Sequence, residues 1–177
     1  WMDRLPDFPT GPSLPRVPQQ EVRTQPRVCR CESILSDVEV ARLHDIANSW
    51  DTTLSTLALS AFAAVLEGFS SGSPFAINVT LFSRQPLHGQ VNRIVGDFTV
   101  TTLLEIRPEQ IHFPSFGQCA RSVHAQLWRD LDHSAFTGID FTRALLSSQR
   151  LDRTTALFPV VFTSTISVGD TDAASSF

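Results

Sequence analysis

The chain has 177 residues, 42% of them hydrophobic and 18% charged, which is enough for one ordinary domain and excludes wholesale disorder. Fourteen Lys and Arg against 18 Asp and Glu give a formal net charge of −4, so no basic field exists to hold nucleic acid or an anionic membrane surface. Three cysteines are too few for a disulfide framework and fit a reducing, cytoplasmic setting.

Residues 1–27 carry Pro6, Pro9, Pro12, Pro15, Pro18 and Pro26. Proline fixes φ and donates no hydrogen bond, so this stretch predicts an extended strap and not a helix. Leu5, Phe8, Leu14 and Val17 are its apolar anchors. Asp3 and Arg4 follow Trp1 directly, and no signal peptide is expected. Val28 to Leu35 reads as a strand, with Cys29 and Cys31 on one face as core cysteines.

Ser36-Asp37-Val38-Glu39 is a capping box that starts a helix running to about Ser49, with Val40, Leu43, Ile46 and Ala47 as its apolar stripe. Thr53 or Ser55 caps a second helix from Thr56 to about Phe69, apolar on most sides and therefore buried. Its apolar run, Leu57 to Leu66, is too short to span a bilayer. Gly68-Phe69-Ser70-Ser71-Gly72 matches a nucleophile-elbow pattern. That motif needs a strand before the serine and a helix after it, and the order here is inverted, so it reads as a helix stop and turn.

Phe75 to Phe82 alternates as a strand. Its Asn78-Val79-Thr80 sequon is read as unused. Ile94 to Ile106 is a second strand, interrupted at Gly96 and Asp97. Helices follow from Ser115 to about His133 and from Ile139 to about Ser148. Phe158 to Ile166 carries no charge and reads as a central strand covered on both faces. The predicted order is strap–β–αα–β–β–αα–β, an α/β or α+β sandwich with a mixed sheet and helices packed on it. The five histidines share no ligand spacing, and no metal site is expected.

The start at Trp1, the end at Phe177, and 13 Phe with no Tyr lead us to expect a piece of a longer protein whose rings pack on further partners. Residue patterns alone go no further than a soluble α/β domain.

Four segments, in order, resemble the heterocyclization domain of nonribosomal peptide synthetases, a relative of the amide-forming condensation domains. Trp1-Met2-Asp3-Arg4-Leu5-Pro6-Asp7-Phe8-Pro9, with Gly11-Pro12-Ser13-Leu14-Pro15, is similar to that family's tryptophan–arginine–proline strap. Thr53-Leu54-Ser55 and Ala61-Phe62-Ala63-Ala64-Val65-Leu66 are similar to its T-P-S and A-Y-A-x-V-L strings, with Leu54 for the proline and Phe62 for the tyrosine. Asn78-Val79-Thr80-Leu81-Phe82-Ser83-Arg84-Gln85-Pro86, leading to Ile94-Val95-Gly96-Asp97-Phe98-Thr99, and Pro159-Val160-Val161-Phe162-Thr163-Ser164 complete the set. Leu127-Trp128-Arg129-Asp130-Leu131-Asp132-His133 is similar to a further family helix.

The resemblance implies a chloramphenicol-acetyltransferase-like lobe, one of two that form a V around a tunnel. Residues 1–27 would be its strap and residues 28–177 most of the C-terminal lobe. It implies carrier-protein partners, a separate N-terminal lobe and an adjacent adenylation domain. No cofactor is bound directly; the substrates hang from the 4'-phosphopantetheine of the carriers. An acyl or peptidyl thioester would condense with Cys, Ser or Thr, and cyclodehydration would give a thiazoline or oxazoline. Thr163 is the implied catalytic residue, positioning an aspartate of a later L-D-x-Q segment. Asp97, Ser164, Asn78 and Arg84 are the implied tunnel-wall or supporting residues. The paired-aspartate motif of the other lobe is not in this chain, so the chain alone is expected to be inactive. The alternatives are an ordinary condensation domain and a noncatalytic fragment that binds carrier proteins.

Overall fold

Hydroxyls placed just ahead of apolar runs start the long helices. In the computed structural model, which describes residues 1–15, 28–84, 87–149 and 156–166, Ser36 and Glu39 close the capping box of α1 (Asp37–Ser49). The Thr53 hydroxyl accepts the Thr56 N–H at the start of α2 (Leu54–Phe69), and the Ser115 hydroxyl accepts the Gln118 N–H at the start of α4 (Phe116–Leu131). Thr137 and Asp140 exchange the same pair of bonds at the start of α5 (Gly138–Gln149). The short α3 (Pro108–Ile111), with proline at its first position, is an element the sequence reading lacks. The Gly68–Gly72 stretch is indeed a helix stop: α2 ends at Phe69, and Ser71 and Gly72 turn the chain at φ of 55° and 72°.

Among the described residues the sheet has three strands in the order β2-β1-β3. β1 (Phe75–Phe82) pairs antiparallel with β2 (Thr99–Ile106) and parallel with β3 (Val161–Thr163). Alternation along β1 sends Phe75, Ile77, Val79 and Leu81 to one face. There they meet Leu59, Ala63 and Leu66 of α2 and Cys119, Val123 and Leu127 of α4. On the opposite face, Ala76 and Leu103 pack under Leu5 and Phe8 of the strap and Phe141 and Leu145 of α5.

The strap is ordered as expected over its described residues; Pro18, Pro26 and the rest of 16–27 lie outside them. One expectation fails: Met2–Asp7 is a 3-10 turn, with Pro6 inside it. The strap then lies beside β1. Ala76 N–H donates to Thr10 O at 2.8 Å, and Gly11 N–H donates to Leu157 O at 2.8 Å. Arg4 fixes it electrostatically. Its guanidinium donates to Asp130 Oδ1 at 2.8 Å and Glu105 Oε2 at 3.1 Å, and lies over the rings of Trp1 and Phe8.

A Cβ on Gly11 would stand 2.5 Å from Pro159 Cδ, a ring atom that cannot swing aside. Gly11→Ala is expected to destabilise the intact protein by about 1–3 kcal/mol, read as a lower denaturation midpoint. Gly68→Ala is the control: nothing lies within 4 Å of its Cβ position, and a helical Ala for Gly should stabilise by up to ~1 kcal/mol.

Four further expectations are corrected. Val28 to Leu35 is not a strand: it makes no ladder, and Val28 and Ile34 are more than nine-tenths exposed. Charges fall on one face of that run and Cys and Ser on the other, so neither face gains enough by burial. Cys29 and Cys31 are therefore exposed and not core residues, while Cys119 is buried. The second strand begins at Thr99 and not at Ile94, because 94–98 forms a loop. The Phe158–Ile166 run contributes only Val161–Thr163, and this strand is at the edge of the sheet. Phe162 packs toward the core against Phe62, but Val161 and Thr163 are exposed.

Candidate functional site

The strap and α5 cover only part of the second sheet face. Past Ala76 and Leu103, that face continues through Asn78, Thr80 and Phe82 on β1, Thr101 on β2, and Val161 and Thr163 on β3. Phe82 and Val161 are more than half exposed. The register sets Thr101, Thr80 and Thr163 in one row across the three strands. The Thr163 hydroxyl donates to Thr80 Oγ1 at 3.0 Å. One step along the strands, Asn78 is registered against Val161, and its buried Oδ1 has no hydrogen-bond partner among the described residues.

Thr163 is thus the polar end of a short edge strand, on a face that the described residues leave open. The sequence reading expected its hydroxyl to be buried; exposure makes it available to a group arriving from outside. Ser164, the next residue, alternates inward. Its Oγ is buried and lies 2.8 Å from Ser55 Oγ, tying the end of β3 to the first turn of α2. Asn78 stands beside the threonine row, and its backbone N–H donates to Val160 O at 3.0 Å.

Asp97 and Arg84 form a separate group in the loop that precedes β2. Asp97 Oδ1 accepts the Thr99 N–H at 2.8 Å, and the hydrogen bonds from Thr99 hold its carboxyl below the usual range. Arg84 donates to Val91 O at 2.7 Å and to Ile94 O at 3.0 Å, and its guanidinium lies 3.9 Å from the centre of the Phe98 ring. Among the described residues no ion pair joins Arg84 to Asp97. The two side chains shape the loop that closes the end of the β1–β2 ladder, where Ser83 N–H donates to Phe98 O.

The residue that sequence reasoning missed is Thr80. Its signal was present: in an alternating strand it must share a face with Asn78.

The family model described as the condensation domain matches residues 1–170. The chain belongs to the condensation-domain family. This condensation domain is 35% identical over 166 residues, or 94% of its length, to pyochelin synthetase PchF of Pseudomonas aeruginosa. It is 32% identical over 170 residues to phenyloxazoline synthase MbtB of a Mycobacterium species. Among solved structures it is similar to the EpoB cyclization-docking bidomain of Sorangium cellulosum, with a TM-score of 0.78 and 32% identity over 94% of the chain. The chain spans 9% of PchF, 14% of MbtB and 33% of the bidomain chain. Its mixed sheet with packed helices is therefore a chloramphenicol-acetyltransferase-like condensation fold. No single helix among the described residues is long and apolar enough to cross a membrane.

Proposed function

We propose that this chain is the C-terminal lobe of a heterocyclization domain in a cytoplasmic nonribosomal peptide synthetase, with residues 1–27 as strap and 28–177 as lobe. Its partners are an N-terminal lobe, an adenylation domain and two carrier proteins. The phosphopantetheine arms of the carriers bring the substrates to the open sheet face. The observation that carries the reading is Thr163: a hydroxyl exposed on that face, fixed by Thr80 and flanked by Asn78, whose oxygen has no partner among the described residues. The similarity to PchF, MbtB and the EpoB bidomain along more than nine-tenths of the chain supports it.

The reaction has two stages. The acceptor amine attacks the donor thioester carbonyl, and the donor's pantetheine thiol leaves. The acceptor's own thiol or hydroxyl then adds to the new amide carbonyl, whose oxygen becomes a hydroxyl. That hydroxyl leaves as water while nitrogen loses its proton, giving a thiazoline or oxazoline. The first stage needs alignment of two tethered arms. The second needs a positioned proton donor and acceptor, which is the task assigned to Thr163 together with an aspartate of the later L-D-x-Q segment. Asn78 flanks the threonine row, Ser164 anchors β3 from behind, and Arg84 and Asp97 hold the adjacent loop.

The test uses the intact synthetase with loaded carriers. A cysteinyl, seryl or threonyl acceptor should give a product one water lighter than the amide, whereas an alanyl acceptor should stop at the amide. Open amide from every acceptor would identify an ordinary condensation domain. No product from any acceptor would leave carrier binding as the only role.

A further inference from the structure

Thr163 lies on an edge strand of the described sheet, and its side chain is exposed. Its position along the strand is fixed by the β1 pairing and by the Ser164–Ser55 bond. Neither fixes the direction in which its hydroxyl points. An exposed threonine side chain has more than one staggered rotamer, and its O–H rotates freely unless a partner holds it. The partner here is Thr80, at 3.0 Å on the adjacent strand.

We infer that Thr80 is a positioning residue for Thr163: by accepting the Thr163 hydroxyl hydrogen, it holds that oxygen with its lone pairs turned to the open sheet face. This rests on the role proposed above for Thr163. The direction of the bond carries the consequence. With its hydrogen committed to Thr80, Thr163 meets an arriving group as an acceptor. The group it suits is a protonated one, either the carboxyl that delivers the proton or the hydroxyl about to leave. Thr80 is itself part of the sheet. β1 is central, paired on both sides, and Thr80 is registered against Thr101 of β2, which in turn packs against Gly138 at the start of α5. The hydroxyl of a three-residue edge strand is thereby referred to the central strand of the sheet. Such a residue touches no substrate and acts only through Thr163.

The experiment compares Thr80→Val, Thr80→Ser, Thr163→Ala and the double variant Thr80→Val/Thr163→Ala in the intact synthetase, reading ring and open amide by mass at early times. Valine keeps the shape of threonine without the hydroxyl. Thr80→Val should lower the ring-to-amide ratio about five-fold, the worth of one neutral hydrogen bond. Thr80→Ser should restore it, and the double variant should be no worse than Thr163→Ala alone. A normal ratio in Thr80→Val, with Thr163→Ala impaired, would overturn the inference and leave the role of Thr163 standing. A normal ratio in Thr163→Ala would overturn both. Equal loss of amide and ring in Thr80→Val, failure of serine to rescue, or fully additive losses would show Thr80 to be a packing residue and overturn the inference.

Discussion

Replacing Thr163 by alanine should slow ring formation by about 10²–10⁴, roughly 3–5 kcal/mol, with open amide accumulating in its place. The magnitude is that of a positioned proton-transfer partner removed from a reaction that needs one. The selectivity follows from where Thr163 stands. It is an exposed edge residue whose side chain contacts Thr80 across the sheet, so its loss leaves the core face untouched. Phe162, the residue before it, still packs against Phe62, and Ser164 still binds Ser55. Alignment of the tethered arms therefore survives, while the group that helps move the proton does not. Ring formation at the normal rate, or loss of amide and ring together, would remove Thr163 from this role.

Replacing Arg4 by methionine should destabilise the fold by about 3 kcal/mol. Arg4 is the cation between Glu105 and Asp130, whose side chains are about nine-tenths buried. Removing it leaves Asp130 without the partner at 2.8 Å and leaves Glu105 with only Arg107. The value is at the low end for a broken buried pair because the Arg4 side chain is 31% exposed. The loss has a pH signature. Burial pushes the Asp130 carboxyl above its usual range, and Arg4 pulls it back. A raised carboxylate favours the folded state most below its unfolded pKa, and that benefit fades as pH rises through the folded value. Without Arg4 the folded value rises further, so the deficit of Arg4→Met should grow from acid toward neutral pH. Denaturation midpoints of the intact protein across that range check it; a pH-independent deficit would mean that Arg4 acts by packing over Trp1 and Phe8 alone.

What the sequence made legible was local. Ser36, and one of Thr53 and Ser55, announce helix starts because a cap is a contact between residues three apart; the Ser36 box forms, and of the other two it is Thr53 that caps. β1 was legible from its alternation and its β-branched residues. The failures are non-local. No feature of Phe158–Ile166 says whether it has one neighbour strand or two, and an uncharged run looked central although Val161 and Thr163 are exposed. Val28–Leu35 has strand-like residues but no face that repeats an apolar one, and pairing decided against it. For the site, resemblance supplied Thr163 and Asn78, and the register then placed them on one sheet face, with Asn78 opposite Val161 and Thr163 opposite Thr80. Alternation alone put Thr80 on the face of Asn78, but its pairing with Thr163, 83 residues away, needed β1 and β3 to be parallel and adjacent.

The central claim is that the amide carbonyl itself is attacked and loses its oxygen. It is tested most directly by a heavy-oxygen label on the donor acyl carbonyl, with a seryl acceptor and the intact synthetase. The account predicts a product one water lighter than the amide and free of the label, because the labelled oxygen departs as water on ring closure. A product of the same mass loss that retains the label would instead have lost the serine hydroxyl, by elimination or by displacement by the amide oxygen, and would contradict it.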